Sequence, residues 1–201
     1  MKIGIFGGTF DPFTKAHLAI VEKVLVEKLV DKVIVLPTVV SWHRKGKYQW
    51  LNVDDRLEVI TEFIRTSKYQ DNIFLDSYEL KFITSSIYAK DRRYIHMLSD
   101  VTFRYGIDNS YYTIIGTDSM WNFTTWWSYK AILDMSKLIV VTGRDGIELP
   151  SETFDAIQMS ISDEYSNVSA GEIRTKYNNV DEYLSELKLA TAKDGCLLSA
   201  N

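Results

Sequence analysis

Thr14 and His17 stand three residues apart, directly after the run IGIFGGTF at 3–10, and a hydroxyl and an imidazole so spaced could serve an anion. Gly7 and Gly8 let the main chain turn sharply and approach a ligand with no Cβ in the way. A helix that follows would offer unpaired N–H groups and the positive end of its dipole. If it begins near Thr14, that hydroxyl caps it, and the His17 ring in the first turn reaches a phosphate oxygen held at the helix end. Taken alone, His17 is as readily a helix-start residue satisfied locally. The glycines, the Asp11–Pro12 turn and Thr14 favour the phosphate. The spacing is neither GxGxxG nor GxxxxGK[ST], so the common dinucleotide and P-loop arrangements do not apply.

Other chemistry-bearing residues lie far downstream. Arg174, in the run NVSAGEIR at 167–174, follows Ser169, a residue suited to capping a helix. A planar guanidinium there could fork onto phosphate oxygens, against the plainer alternative of an exposed arginine. Asp118 follows the strand-like YYTIIG at 111–116 and could accept a ribose hydroxyl, cap the next helix, or do both. Trp121, Trp126 and Trp127 in isolation read as helix-to-sheet packing. The HRKGK run at 43–47 is by default a solvated basic loop. His96 has no partner motif and reads as structural. Three scattered histidines with no cysteine cluster and no HExxH make no zinc site.

The elements that must carry these residues alternate. Near-continuous apolar runs at 2–6, 32–37, 72–76, 111–116 and 137–141 suit parallel strands buried on both faces. Helical spacing occupies 16–28, 53–66 and 90–105 between them. This βαβ order predicts an α/β fold, a Rossmann-like doubly wound parallel sheet. The polar linkers at 38–52 and 81–91 are read as mobile, ligand-facing segments at the strand ends. After Pro150 the pieces shorten to a strand-like 157–161, the polar 167–177 and a helical 180–189. A single domain over 1–201 is expected, with a short helical C-terminal part from about 165.

Composition narrows the classes further. With 23 Lys and Arg against 27 Asp and Glu, the net charge of −4 opposes a broad nucleic-acid or anionic-membrane surface. One cysteine, Cys196, excludes an intrachain disulfide and agrees with a reducing compartment. No stretch approaches the ~18 unbroken apolar residues of a membrane span. A cytoplasmic, soluble protein is expected, its oligomeric state unspecified.

Four segments carry a family resemblance in the right order. GGTFDPFTKAH at 7–17 resembles the GGTFDPxHxGH signature of nicotinate and nicotinamide mononucleotide adenylyltransferases, within the nucleotidyltransferase superfamily marked by [HT]xGH. Thr14 and His17 fill the marked positions, and Ala16 stands where glycine is usual. IIGTDSMWNFTTWWSYKAILDMSKLIV at 114–140 is similar to the family's IIGxDSLxxFxxWxxxxxIL block and supplies Gly116, Asp118, Phe123 and Trp126. The loop ending in PPHK or PPHR is matched at His43 and Arg44, with Ser41 and Trp42 in place of the prolines. NVSAGEIR resembles ISxTxIR, with Gly171 where threonine is usual.

The resemblance implies transfer of AMP from ATP to a pyridine mononucleotide, with pyrophosphate released and no protein nucleophile. It implies catalytic roles for Thr14, His17 and Arg174. Contacts to ATP would come from Gly7, Gly8, Thr9, Phe10, Gly116, Asp118 and Ser169. The acceptor would be held by His43, Arg44 and Trp126, the last stacking on the nicotinyl ring. Mg²⁺ would arrive with ATP and need no protein carboxylate cage. Two alternatives remain at this stage: another superfamily nucleotidyltransferase, of the pantetheine-phosphate adenylyltransferase or cytidylyltransferase type, and a nucleotide-binding module without catalysis.

Overall fold

A computed structural model describes residues 1–38, 49–83, 92–142, 149–162, 165 and 168–193. Among these residues six strands form one sheet: β1 (Lys2–Gly8), β2 (Lys32–Pro37), β3 (Ile73–Leu75), β4 (Ser110–Gly116), β5 (Lys137–Thr142) and β6 (Ile157–Ser160). Their order is β3-β2-β1-β4-β5-β6, and every pairing is parallel. The chain winds outward one way from β1 and the other way from β4, so the crevice between these two strands is the switch point.

The alternation of side chains explains why the runs are apolar throughout. Val33, Val35, Tyr112, Ile114, Ile139 and Val141 enter one buried cluster. Ile34, Leu36, Tyr111, Ile115, Leu138 and Val140 enter the other. Each face is then covered by helices, and each fully buried aliphatic side chain stabilises the fold by about 1.5–3 kcal/mol. The first face takes α1 (Lys15–Val26), α2 (Val53–Thr66), α6 (Ala170–Lys176) and α7 (Val180–Lys193). The second takes α3 (Tyr94–Tyr105), α4 (Thr117–Trp121) and α5 (Tyr129–Met135).

Caps set most helix boundaries. Asn52 accepts the Asp55 N–H at 2.8 Å and starts α2 where the apolar spacing places it. The expected helix over 16–28 stops earlier, at Val26. Lys28 takes a left-handed φ of 54°, and the Lys28 and Leu29 N–H groups turn back to the Leu25 and Val24 oxygens. The helix expected over 90–105 starts at Tyr94, because Arg93 is extended. The linker expected over 81–91 begins inside a π-helical turn, Glu79–Ile83. The Trp121–Trp127 stretch departs most from expectation. A 3₁₀ turn at Phe123–Thr125 and a left-handed Ser128 at φ 56° break it, leaving Trp121 54% and Trp127 56% exposed instead of packed on the sheet.

Candidate active site

The bend after β1 lies at the carboxyl end of the switch point. Phe6 with Ile114 is the last pair of β1 and β4, and Gly8 and Gly116 each lie two residues beyond it on the two sides of the crevice. Gly8 must lack a side chain, since a Cβ there would stand 2.7 Å from the Phe10 ring. Phe10 is itself left-handed, at φ 48°, and the Asp11–Pro12 bond is cis.

Thr14 caps α1, and His17 closes a reciprocal capping box. The His17 N–H reaches Thr14 Oγ1 at 3.4 Å, and the Thr14 N–H donates to His17 Nδ1 at 2.9 Å. An Nδ1 that accepts a backbone N–H holds its lone pair there, so the ring proton of neutral His17 sits on Nε2. Phe10 and Phe13, each at 5.2 Å between ring centroids, fix the imidazole plane. The result is an oriented N–H donor in the first turn of a helix.

Arg174 comes to the same bend. Its Nη1 donates to the main-chain oxygen of Asp11. Ser169 caps α6 and shares a capping box with Glu172, at 3.1 and 2.8 Å. The Arg174 head folds over this first turn: a Cβ added at Gly171 would meet Ser169 Oγ at 3.6 Å and Arg174 Nη2 at 3.8 Å.

Across the crevice, Asp118 is exposed in the first turn of α4, and its Oδ1 accepts the Ser119 N–H at 2.9 Å. Trp126 is half-buried, its ring 5.1 Å from Tyr94 and 5.4 Å from Phe123. Tyr94 in turn reaches the bend, since a Cβ at Gly7 would lie 3.1 Å from its ring. Trp126 therefore stands one aromatic ring away from Gly7. The Tyr94 hydroxyl donates to Thr113 Oγ1 at 3.1 Å, and burial pushes its pKa up. His43 and Arg44 lie outside the described residues.

Two further side chains were given no role by the sequence, where Asp11 entered only as part of a turn with Pro12 and Arg56 not at all. The buried Asp11 carboxylate accepts the Trp50 and Leu51 N–H groups at 2.9 and 2.8 Å, tying the bend to the approach to α2. Arg56, fully buried, sends Nη2 to the Thr9 oxygen and, at 2.7 Å, to the Thr38 oxygen. Burial lowers its pKa to about 10, opposed by Asp11. Its signal was present. Arg56 occupies a place in the apolar stripe it shares with Val59, Ile60 and Phe63, where a charge has no ordinary reason to be. Among the described residues, no group of three or more His, Cys, Asp or Glu side chains could hold a metal ion. No described helix is long and apolar enough to cross a membrane.

Parallel strands that reverse order beside a glycine bend characterise the doubly wound α/β proteins that hold nucleotides at the switch point. Residues 5–176 match the family model described as cytidylyltransferase-like, and the chain belongs to that family. A probable nicotinate-nucleotide adenylyltransferase from Fusobacterium nucleatum is 33% identical over 185 residues, covering 90% of each chain. A phosphopantetheine adenylyltransferase from the same organism is 40% identical over 78 residues, only 39% of this chain and 42% of that one. The solved Plasmodium falciparum nicotinic acid mononucleotide adenylyltransferase complexed with NaAD is alike in fold. Its TM-score is 0.70 at 17% identity, over 92% of this chain and 89% of that one.

Proposed function

We propose that this chain transfers the adenylyl group of ATP to nicotinate mononucleotide, a step of NAD biosynthesis. An oxygen of the mononucleotide phosphate attacks the α-phosphorus in line. The bond to the bridging oxygen breaks, and its electron pair leaves on pyrophosphate. The protein's task is to hold two anions in contact and to stabilise the charge moving onto the leaving group. One observation carries the reading. Thr14 and His17 at the start of α1 and Arg174 in α6 converge on the bend between Gly8 and Thr14.

In this reading the main chain from Gly7 to Phe10 cradles the phosphates, with Gly116 and Asp118 facing the nucleoside part of ATP. His17 Nε2 donates to a phosphoryl oxygen, beside the Thr14 cap. Arg174 and Ser169 hold the outer phosphates, and Trp126, His43 and Arg44 hold the acceptor. ATP would enter as its magnesium complex, the ion supplying charge neutralisation on the phosphates without a protein carboxylate cage. We assign these roles to one catalytic domain working in the cytoplasm on small nucleotides. The long match to the nicotinate-nucleotide enzyme, against the partial match to the phosphopantetheine enzyme, favours the pyridine acceptor.

The test is incubation with MgATP and, in turn, nicotinate mononucleotide, nicotinamide mononucleotide and phosphopantetheine, scored by pyrophosphate release and product mass. Nicotinate adenine dinucleotide is the expected major product. ATP binding without turnover on any acceptor would overturn the reading in favour of a binding module.

A further inference from the structure

We propose that Arg56 is a positioning residue that aims the Phe10 N–H at the transferred phosphoryl group. The inference rests on the adenylyl-transfer reading above. Its ground is the geometry of one peptide plane. In a trans peptide the C=O and the following N–H point in opposite directions. Arg56 Nη2 holds the Thr9 oxygen toward α2, so the Phe10 N–H faces away from α2. No described residue accepts from that N–H.

The surroundings leave the peptide little freedom to turn. Arg56 also binds the Thr38 oxygen at 2.7 Å, and the Thr38 N–H donates to the Gly8 oxygen at 2.9 Å. The bend is thus fastened to the end of β2 at two successive carbonyls, Gly8 directly and Thr9 through Arg56. Phe10 is left-handed, and its ring packs over Gly8 and edge-on to His17 at 5.2 Å. A phosphoryl oxygen beside His17 would therefore meet two oriented donors, His17 Nε2–H and the Phe10 N–H.

Stability alone does not explain the arginine. Its Nε and Nη1 are buried with no hydrogen-bond partner among the described residues, and an apolar side chain on the same stripe would bury neither those donors nor a charge, giving up only the bonds to the Thr9 and Thr38 oxygens. A buried charge kept at this cost is expected where a site needs it.

The test compares full-length wild type with Arg56→Met and Arg56→Lys. Methionine fills similar space without donors, whereas lysine keeps the charge and can reach one carbonyl. The expected result is a kcat lowered about 10²-fold in Arg56→Met, with the mononucleotide KM within about threefold of wild type and Arg56→Lys intermediate. Circular dichroism at the assay temperature confirms that the compared samples are folded. A folded Arg56→Met with near-normal kcat overturns the proposal. Should that variant not fold, wild type decides: on adding MgATP without acceptor, the Phe10 amide proton resonance should move downfield, and an unmoved resonance overturns the role. A wild type that forms no dinucleotide refutes the functional reading itself, whereas an active wild type with an unaffected Arg56→Met refutes only the part given to Arg56.

Discussion

Arg174 Nη1 donates to the main-chain oxygen of Asp11 across 163 residues of sequence, joining a C-terminal helix to the first bend of the chain. The same Asp11 uses its carboxylate to hold the Trp50 and Leu51 N–H groups. One residue thus ties two distant stretches to the bend. Anchoring one N–H of a planar guanidinium fixes the direction of its whole fork.

Arg174→Ala is expected to raise the KM for ATP by about tenfold or more, since the lost contacts are charge-assisted. Arg174→Lys should recover only part of this, because an ammonium keeps the charge without the planar fork. Initial rates at varied ATP decide it; an unchanged KM and kcat in the alanine variant would remove Arg174 from the site.

His17→Ala should lower kcat about 10²-fold, the usual effect of losing one oriented donor. It should also destabilise α1 by about 1 kcal/mol, because the Thr14 N–H loses its acceptor. Rates and urea unfolding on the same preparation separate the two effects. A near-normal turnover would leave His17 only its capping role.

Trp126→Ala should raise the mononucleotide KM more than it lowers kcat, because stacking on a remote ring binds ground and transition states about equally. The ring also packs between Tyr94 and Phe123, so roughly 2 kcal/mol of stability goes with it. Trp126→Phe separates these, keeping most of the packing. An unaltered KM in the alanine variant would take Trp126 out of the acceptor site.

Gly171→Thr is expected to lower the KM for ATP several-fold, toward one charge-assisted hydrogen bond. The new Cβ fits in ordinary contact, 3.6 Å from Ser169 Oγ and 3.8 Å from Arg174 Nη2. A higher KM would mean that the bare first turn of α6 is what the triphosphate requires.

Tyr183→Phe should be neutral, or stabilising by about 1 kcal/mol, at neutral pH, since its buried hydroxyl has no hydrogen-bond partner among the described residues. Burial, with Tyr177 adding, pushes the Tyr183 phenol well above its ordinary 10.0. Above pH 10.0 the unfolded chain therefore releases this proton while the native chain keeps it, and stability falls as pH rises. Tyr94 acts in the same direction. Arg56, lowered to about 10, acts oppositely there, because the unfolded chain keeps the proton that the native chain loses. Urea unfolding at neutral pH and at about pH 10.5 should show a shallower alkaline loss in Tyr183→Phe than in wild type. An equal loss would deny Tyr183 its share.

The strands and long helices were legible because each obeys one period: continuous apolar runs for doubly covered strands, and three-and-four spacing for α2. The α1 cap at Thr14 was legible too, since a hydroxyl before an apolar periodic run has few other local uses. Trp121 and Trp127 were not. Their stretch changes from α4 to a 3₁₀ turn to a left-handed Ser128 within a few residues, so no single period governs which way a side chain faces. Arg56 was missed for another reason. A periodic pattern is read by its apolar majority, and a lone arginine among Val59, Ile60 and Phe63 passes as noise until its carbonyl partners are seen.

The separation between Asp11 and Arg174 also bears on how the enzyme comes into being. Synthesis delivers the bend long before α6, so on the proposed reading a nascent chain on the ribosome carries half a triphosphate grip for most of its elongation. ATP in the surrounding solution would find no complete clasp until the last helices have emerged and docked.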